Sequence, residues 1–405
     1  MNFINGGVCA PIGFKASGIH VGVKTHNTDK KDLALIVADC GCNAGAVYTK
    51  NVVKAAPLHI TKENLANGRA RVVFANSGNA NACAPNGELH AREMCRMIAS
   101  ELNICDNDVI VASTGVIGQE LPIDTIKSGV TELVAGLSYD GSDGAASAIM
   151  TTDLTKKELA VEFEVGGKTV KIGGITKGSG MIHPNMGTML AFLTTDCAIS
   201  SDMIEKALLD ATNVSFNRIS VDGDSSTNDM LSLLSNGMAG NDEITELGED
   251  YNKFTEGLNA LCIELAKMIA ADGEGATHLI TCHVYGAKSV EEAEVLSKSV
   301  ITSSLVKTMI FGADANFGRV LCAMGYSGID FDQYSADIAF MSSVGSIDVC
   351  KSGRGLPFDE ALAKAILTER DIVISINMNS GSEECVCWGC DMTYDYVKIN
   401  GDYRS

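Results

Sequence analysis

The chain has 405 residues, enough for two or more core-bearing units, and its 46% apolar content with six prolines suits a compact globular protein rather than a disordered one. Lysine and arginine number 31 against 51 aspartates and glutamates, a net charge of −20 that argues against nucleic acid and anionic membranes as partners. No apolar run reaches the ~18 residues of a membrane span, the start Met1-Asn-Phe-Ile-Asn-Gly-Gly lacks the plan of a signal peptide, and fourteen cysteines then suggest a reducing cytoplasm.

Short apolar runs bounded by Gly and Asn alternate with helical patterns, which predicts a mixed α/β protein. Residues 71–75 read as a strand ending at an Asn/Gly loop. Residues 108–113 read as a second strand, running into a turn at Thr114-Gly115. Val161, Phe163 and Val165 alternate with acidic residues, Gly166-Gly167 offers a hairpin turn, and Val170 and Ile172 continue on the return strand, which delivers the chain to Lys177. Residues 189–193 look like a buried strand. Asp202 with Glu205 resembles a helix-start pair, with Ile204 and Leu208 on one face. Phe254, Leu258, Leu261, Leu265, Met268 and Ile269 fall at helical spacing, Gly273 stops that helix, and Glu274 lies in the loop beyond. Most cysteines, Cys262 and Cys322 among them, read as small buried hydrophobes. Cys40-Gly-Cys42 and Cys385-Val-Cys-Trp-Gly-Cys390 lack zinc-ribbon or ferredoxin spacing, and the second pattern reads as a strand. Asp222, Asp224 and Asp229 do not have EF-hand spacing and read as loop and cap residues, so no metal is expected.

The most informative segment is Lys177-Gly-Ser-Gly-Met-Ile-His-Pro-Asn-Met-Gly-Thr188-Met-Leu-Ala-Phe192. It sets a Gly187–Thr188 bond behind a Pro and several Gly, and ahead of an apolar run. Threonine alone is a poor nucleophile. Made N-terminal by a chain break, it gains its own α-amine as a base, titrating near ~7.7–8.0 against ~10.4 for lysine. His183, in the same segment, is therefore not needed as a general base. Lys-Gly-Ser-Gly is not a phosphate loop, because the G-x-x-x-x-G-K-[ST] spacing is absent.

The segment resembles the autoprocessing signature of the ornithine acetyltransferase (glutamate N-acetyltransferase) family. Further matches follow in order: Lys54-Ala-Ala-Pro57, Asn76-Ser-Gly-Asn-Ala-Asn-Ala82, Ser113-Thr-Gly-Val-Ile-Gly118, Met150-Thr-Thr-Asp153, Ser220-Val-Asp-Gly-Asp-Ser-Ser-Thr-Asn-Asp229, Asp272-Gly-Glu-Gly-Ala-Thr277, Trp388-Gly-Cys-Asp-Met-Thr-Tyr-Asp-Tyr396 and Asn400-Gly-Asp-Tyr-Arg-Ser405. Phe317, Ser405 and Gly187 depart from the residues common there (Trp, Thr and Ala).

The resemblance implies an αββα sandwich of the N-terminal-nucleophile kind with an additional α/β lobe. It implies self-cleavage into residues 1–187 and 188–405, paired as an α2β2 heterotetramer. The implied reaction moves an acetyl group from N2-acetylornithine through Thr188 to glutamate, in arginine biosynthesis and without a coenzyme. Acetyl-CoA as a second donor stays open, and the acidic surface mildly favours a cationic substrate such as ornithine. Thr114 and Gly115 match the oxyanion-hole positions. Thr152, Lys177, Thr188, Glu274, Asn400 and Ser405 match the substrate-binding positions. The alternative is a hydrolase of the same nucleophile type, such as an aminopeptidase, in which water takes the acyl group.

Overall fold

The computed structural model describes residues 1–24, 29–183 and 189–402. Its strands are β1 (Asn2–Ile4), β2 (Phe14–Ile19), β3 (Leu33–Tyr48), β4 (Arg69–Asn79), β5 (Val109–Val116), β6 (Lys157–Val165), β7 (Lys168–Lys177), β8 (Leu190–Thr195), β9 (Ile219–Ser220), β10 (Met230–Ser235), β11 (Leu279–Ala287), β12 (Asp337–Ser342), β13 (Gly345–Lys351), β14 (Arg354–Gly355), β15 (Asp371–Asn377) and β16 (Glu383–Cys390). Its helices are α1 (Ala56–Asn64), α2 (Gly87–Leu102), α3 (Ile123–Ala135), α4 (Ser142–Ile149), α5 (Ser201–Val214), α6 (Glu249–Ala271), α7 (Val290–Thr302), α8 (Ser304–Phe311), α9 (Phe317–Gly325), α10 (Glu360–Leu367) and α11 (Tyr394–Gly401). The chain divides into two compact units: residues 1–178, 184–217 and 225–269 form the first, and residues 179–183, 218–224 and 270–405 the second.

The first unit is built on one mixed sheet, ordered β1-β6-β7-β8-β10-β3-β4-β5, with β2 also paired to β3. The long strand β3 serves both halves. Residues 33–37 pair with β4, the register breaks between Val37 and Cys42, and residues 43–48 pair with β10. A strand's side chains alternate between faces, so each half has two faces to cover. Leu33, Leu35 and Val37 join Val72, Phe74, Val109 and Val111 in a core with Met94 and Ile98 of α2 and Ile126 and Val130 of α3. The intervening residues Ala34, Ile36, Val73, Ala75, Ile110 and Ala112 share the opposite core with Ile175, Leu190, Phe192, Met230 and Leu234 from the other half. Helices meet the outer face of that second half: a methyl group at Gly45 would lie 2.9 Å from Ile204 of α5, and one at Gly174 would lie 2.9 Å from Leu265 of α6. This is helix, sheet, sheet, helix, the αββα layering expected. Moving each large side chain from water into these cores contributes about 1.5–3 kcal/mol.

The second unit is the additional α/β lobe. Its sheet runs β14-β13-β12-β15-β11-β16-β9. Ile280, Cys282 and Val284 of β11, Ile372, Ile374 and Ile376 of β15, and Cys385 and Cys387 of β16 form its core with Leu296 and Val300 of α7.

The glycine hairpin is present as read from the sequence: Val165 pairs with Lys168, and Gly166 and Gly167 sit at φ 55° and 73°, the positive angles that a two-residue turn needs. The residue 189–193 strand is β8, and α6 ends just before Gly273. Three expectations are corrected. The strands at 71–75 and 108–113 run on through Asn79 and Val116, because the Asn/Gly stretch and Thr114-Gly115 keep pairing with each other instead of turning. Helix α5 begins at Ser201, so Asp202 stands inside the first turn, where it complements the helix dipole rather than capping. Cys322 is exposed on α9, although Cys262 is buried. Among the described residues no helix is long and apolar enough to cross a membrane.

Candidate active site

Thr114 and Gly115 lie near the end of β5, Thr114 buried and Gly115 half-buried. Gly115 has φ 133°, and a Cβ there would stand 2.3 Å from the Gly78 carbonyl carbon and 2.5 Å from the Asn79 nitrogen. Two backbones therefore touch at this point, where β4 is bulged. The Asn-rich motif is the scaffold of this crossing. Asn76 Nδ2 donates to the Asn79 carbonyl (2.9 Å), and Ser113 Oγ donates to Asn76 Oδ1 (2.6 Å). Asn79 Oδ1 accepts from the Asn81 N–H (2.8 Å), and Asn81 Nδ2 donates to the Gly87 carbonyl (2.9 Å). Asn228, from the loop before β10, donates to the carbonyls of both Ala80 (2.6 Å) and Ser113 (2.7 Å). The backbone around Thr114-Gly115 is thus held in place by side-chain hydrogen bonds.

Lys177 ends β7 and is 7% exposed. Its Nζ donates to Thr151 Oγ1 at 2.8 Å and lies 3.9 Å from Asp153 Oδ2. Asp153 is the hub. Its Oδ1 accepts from Lys157 Nζ at 2.7 Å and from the Gly178 N–H at 2.7 Å, while Oδ2 accepts from the Thr151 N–H at 2.9 Å. Burial alone would raise the Asp153 pKa; Lys177, then Lys157, outweigh it and hold this carboxyl below the ordinary carboxylate range. Thr152 is half-buried between the two hydrogen-bonding residues Thr151 and Asp153. Lys24 is drawn to the same place. Its Nζ donates to the Lys31 carbonyl at 2.6 Å, and a Cβ at Gly78 would meet its Cγ at 2.9 Å. Burial lowers its pKa to about 8.

In the second unit, Glu274 is 7% exposed in the loop after α6. Asn400 Nδ2 of α11 donates to Glu274 Oε2 at 2.7 Å. The Glu274 N–H donates to the Ser179 carbonyl (3.0 Å), and a Cβ at Gly180 would fall 2.4 Å from the Glu274 carboxylate, so a larger residue there would displace that side chain. Thr393 ties α11 to the same loop, donating to the Gly275 carbonyl at 2.7 Å and accepting from the Asp395 N–H at 3.2 Å. Asp222 accepts from the backbone of Met181 (2.6 Å) and Ile182 (2.9 Å), the loop role expected of it. His183 Nδ1 lies 3.1 Å from Ser220 Oγ, and burial, then Lys298, lower its pKa.

Lys177, Thr114 and Gly115 thus belong to one sheet of the first unit, and Glu274 and Asn400 pair in the second. Gly187, Thr188 and Ser405 lie outside the described residues. Asp229, read as a loop or cap residue, does lie in the loop just before β10, and it is buried there. The motifs contained Asn228, Asp153 and Asp229 without revealing their tasks, and Lys157 and Lys24 lay beyond the quoted motifs. Among the described residues no group of three His, Cys, Asp or Glu side chains is arranged to hold a metal ion.

Residues 15–405 match the model of the ArgJ family. The chain is 48% identical to the arginine biosynthesis bifunctional protein ArgJ of Symbiobacterium thermophilum, over 100% of both chains. It is 45% identical to the crystal structure of the arginine biosynthesis bifunctional protein of Bacillus halodurans, with a TM-score of 0.50, covering 52% of this chain and 97% of that one. It is also similar to the ornithine acetyltransferase of Mycobacterium tuberculosis crystallised with ornithine: 35% identical, TM-score 0.42, covering 47% of this chain and 99% of that one.

Proposed function

The chain belongs to the ArgJ family, and on that footing we propose that it transfers the acetyl group of N2-acetylornithine to glutamate by way of an acetyl ester on Thr188. The Thr188 hydroxyl attacks the acetyl carbonyl, its proton passing to the residue's own α-amine. The oxyanion collapses, the C–N bond to ornithine breaks, and the amine's proton leaves with ornithine. Glutamate's amine then attacks the ester, Thr188 recovers its proton, and N-acetylglutamate departs. Donor and acceptor supply every atom. The observation that carries this reading is the buried Thr151–Asp153–Lys157–Lys177 network, set at the end of a strand paired to β8, whose first residue lies two places after Thr188. It supports Lys177 as a fixed cation for a substrate carboxylate. Glu274, held by Asn400, suits the side-chain amine of acetylornithine. Thr114 and Gly115 serve both oxyanions, and Thr152 and Ser405 complete the substrate contacts.

The nucleophile first has to be freed. Its hydroxyl attacks the Gly187 carbonyl and the resulting ester is hydrolysed, leaving chains of 187 and 218 residues. The solved Bacillus halodurans chain is itself only about half as long as this one, since 97% of it spans 52% of this chain; that length supports a processed protein. We place the enzyme in the cytoplasm as an α2β2 assembly. Steady-state kinetics test the scheme. Parallel double-reciprocal lines for acetylornithine and glutamate, with an acetylated Thr188 peptide trapped when glutamate is withheld, are expected. Intersecting lines without that peptide would refute the covalent intermediate, and acetate released in place of N-acetylglutamate would favour the hydrolase.

A further inference from the structure

The Cys40-Gly-Cys42 motif has no task in acetyl transfer, and it sits where the long strand β3 changes register. Val37 pairs with Val72 of β4 and Ala38 with Phe14 of β2; pairing resumes at Cys42 with Ala70 of β4 and at Asn43 with Ser235 of β10. Asp39, Cys40 and Gly41 fall between those registers, and all three are exposed. The kink is held from outside. Arg71 Nε donates to the Ala38 carbonyl (3.0 Å) and its Nη2 to the Asp39 carbonyl (3.0 Å), while the Asp39 N–H donates to the Gly13 carbonyl (2.9 Å). A Cβ at Gly41 would lie 3.3 Å from Arg69 Nη2. Two guanidinium groups therefore flank a short stretch of β3 whose backbone can bend without unpairing the sheet.

The two thiols are unlike. Cys40 is exposed, its Sγ 3.9 Å from the Asn236 carbonyl, whereas Cys42 is fully buried. They are nevertheless neighbours: the Cys42 thiol donates to the Cys40 carbonyl across 3.6 Å. Burial, then Cys40, pushes the Cys42 pKa up, against Arg69 and Arg71, so Cys42 stays a thiol at neutral pH. An exposed sulfur beside fixed cations, with a protected second sulfur next to it, is the arrangement of an attacking and a resolving cysteine. Gly41 between them adds no side chain to the ring they would close.

We propose that Cys40 and Cys42 form an oxidisable dithiol, with a peroxide as oxidant. The Cys40 thiolate attacks the O–O bond; an S–O bond forms, and hydroxide leaves to become water. The Cys42 sulfur then attacks the Cys40 sulfenic acid. The S–S bond forms, the S–O bond breaks, and the departing hydroxide takes the Cys42 proton as a second water. Two thiols lose two electrons and the peroxide gains them. The product spans a single residue on an exposed kink, which makes it a labile disulfide that low-molecular-weight thiols re-reduce by exchange. Reversible bonds of this kind are the ones found in a reducing compartment. The proposal is independent of the acetyl-transfer reading.

The full native chain tests it, treated with one equivalent of hydrogen peroxide, quenched with iodoacetamide and digested with trypsin. Residues 32–50 form one tryptic peptide that holds Cys40 and Cys42 and no other cysteine. That peptide is expected to become lighter by two hydrogens and to lose alkylation at both sulfurs, and dithiothreitol is expected to restore both. The exposed Cys83, Cys105 and Cys322 have no cysteine within two positions and should remain alkylated. Cys40→Ser, a surface change, should abolish the loss of alkylation at Cys42. Cys42→Ser should leave a Cys40 sulfenic acid that dimedone traps. A wild-type peptide that keeps both thiols while Cys83, Cys105 or Cys322 is oxidised would overturn the proposal. So would Cys40 carried to a sulfinic acid, or joined to any sulfur other than that of Cys42. Should Cys42→Ser fail to fold, the wild-type and Cys40→Ser peptides decide the matter by themselves.

Discussion

Gly115 shows most directly how one residue type is forced by its surroundings. At φ 133°, with two backbone atoms of the neighbouring strand within 2.5 Å of where a Cβ would be, alanine can enter only by pushing β4 and β5 apart. Gly115→Ala is expected to slow both cleavage and acetyl transfer by roughly 10²–10³-fold, the cost of one misplaced oxyanion donor. Single-turnover acetylation, with denaturing gels for cleavage, measures it; loss of one activity alone would mean the two steps do not share this donor. Lys177→Met makes a different prediction. Asp153 keeps Lys157, so the fold survives, whereas the substrate carboxylate loses its cation. KM for N-acetylornithine should rise about tenfold, within the range of a lost charge-assisted hydrogen bond, and an unchanged KM would remove Lys177 from substrate binding. Asp153 also gives stability a pH dependence. Its folded pKa lies below the unfolded value, so its contribution is complete above that unfolded value, near ~3.9, and fades as pH falls further. Asp153→Asn should flatten that acid limb in a denaturant titration series.

At the scale of elements, α11 is held by very little of its own. Among its residues none is buried; its N-terminus is capped by Thr393 and its Asn400 grips Glu274. Thr393 both caps the helix and bonds the Gly275 carbonyl, so it sets α11 against the loop that presents Glu274. Thr393→Ala should cost about 1 kcal/mol at the cap and, by loosening the Asn400–Glu274 pair, should raise KM more than it lowers kcat. A loss confined to kcat would place this helix outside substrate binding.

For the whole molecule, the proposed cut falls between β7 and β8, neighbours in one sheet: Lys177 pairs with Leu190, and Ile172 with Thr195. Neither product chain could leave without exposing a strand edge and the shared core. We expect the 187- and 218-residue chains to co-elute under native conditions and to separate only in denaturant, while Thr188→Ala stays a single chain. Light scattering should give twice the mass of one pair, and a single heterodimer at micromolar concentration would contradict the α2β2 assembly.

Much of this was legible in the amino-acid order because it is local. The Gly166-Gly167 hairpin, the apolar run of β8 and the helical spacing of α6 each follow from a period or a turn requirement spanning a few residues. The match around Lys177–Phe192 and the motifs that follow it is likewise written in consecutive residues, and it carried the family. Tertiary structure decided which buried polar groups meet. Asn228 reaches carbonyls 148 and 115 positions away, and Asp153 meets Lys177 across 24 positions. No periodicity encodes such pairings, because a buried polar side chain takes its partner from whichever strand the sheet order places beside it. The same rule explains Asp229. In sequence it looks like one more loop acid, and only the pairing of β10 with β8 encloses it beside Met189.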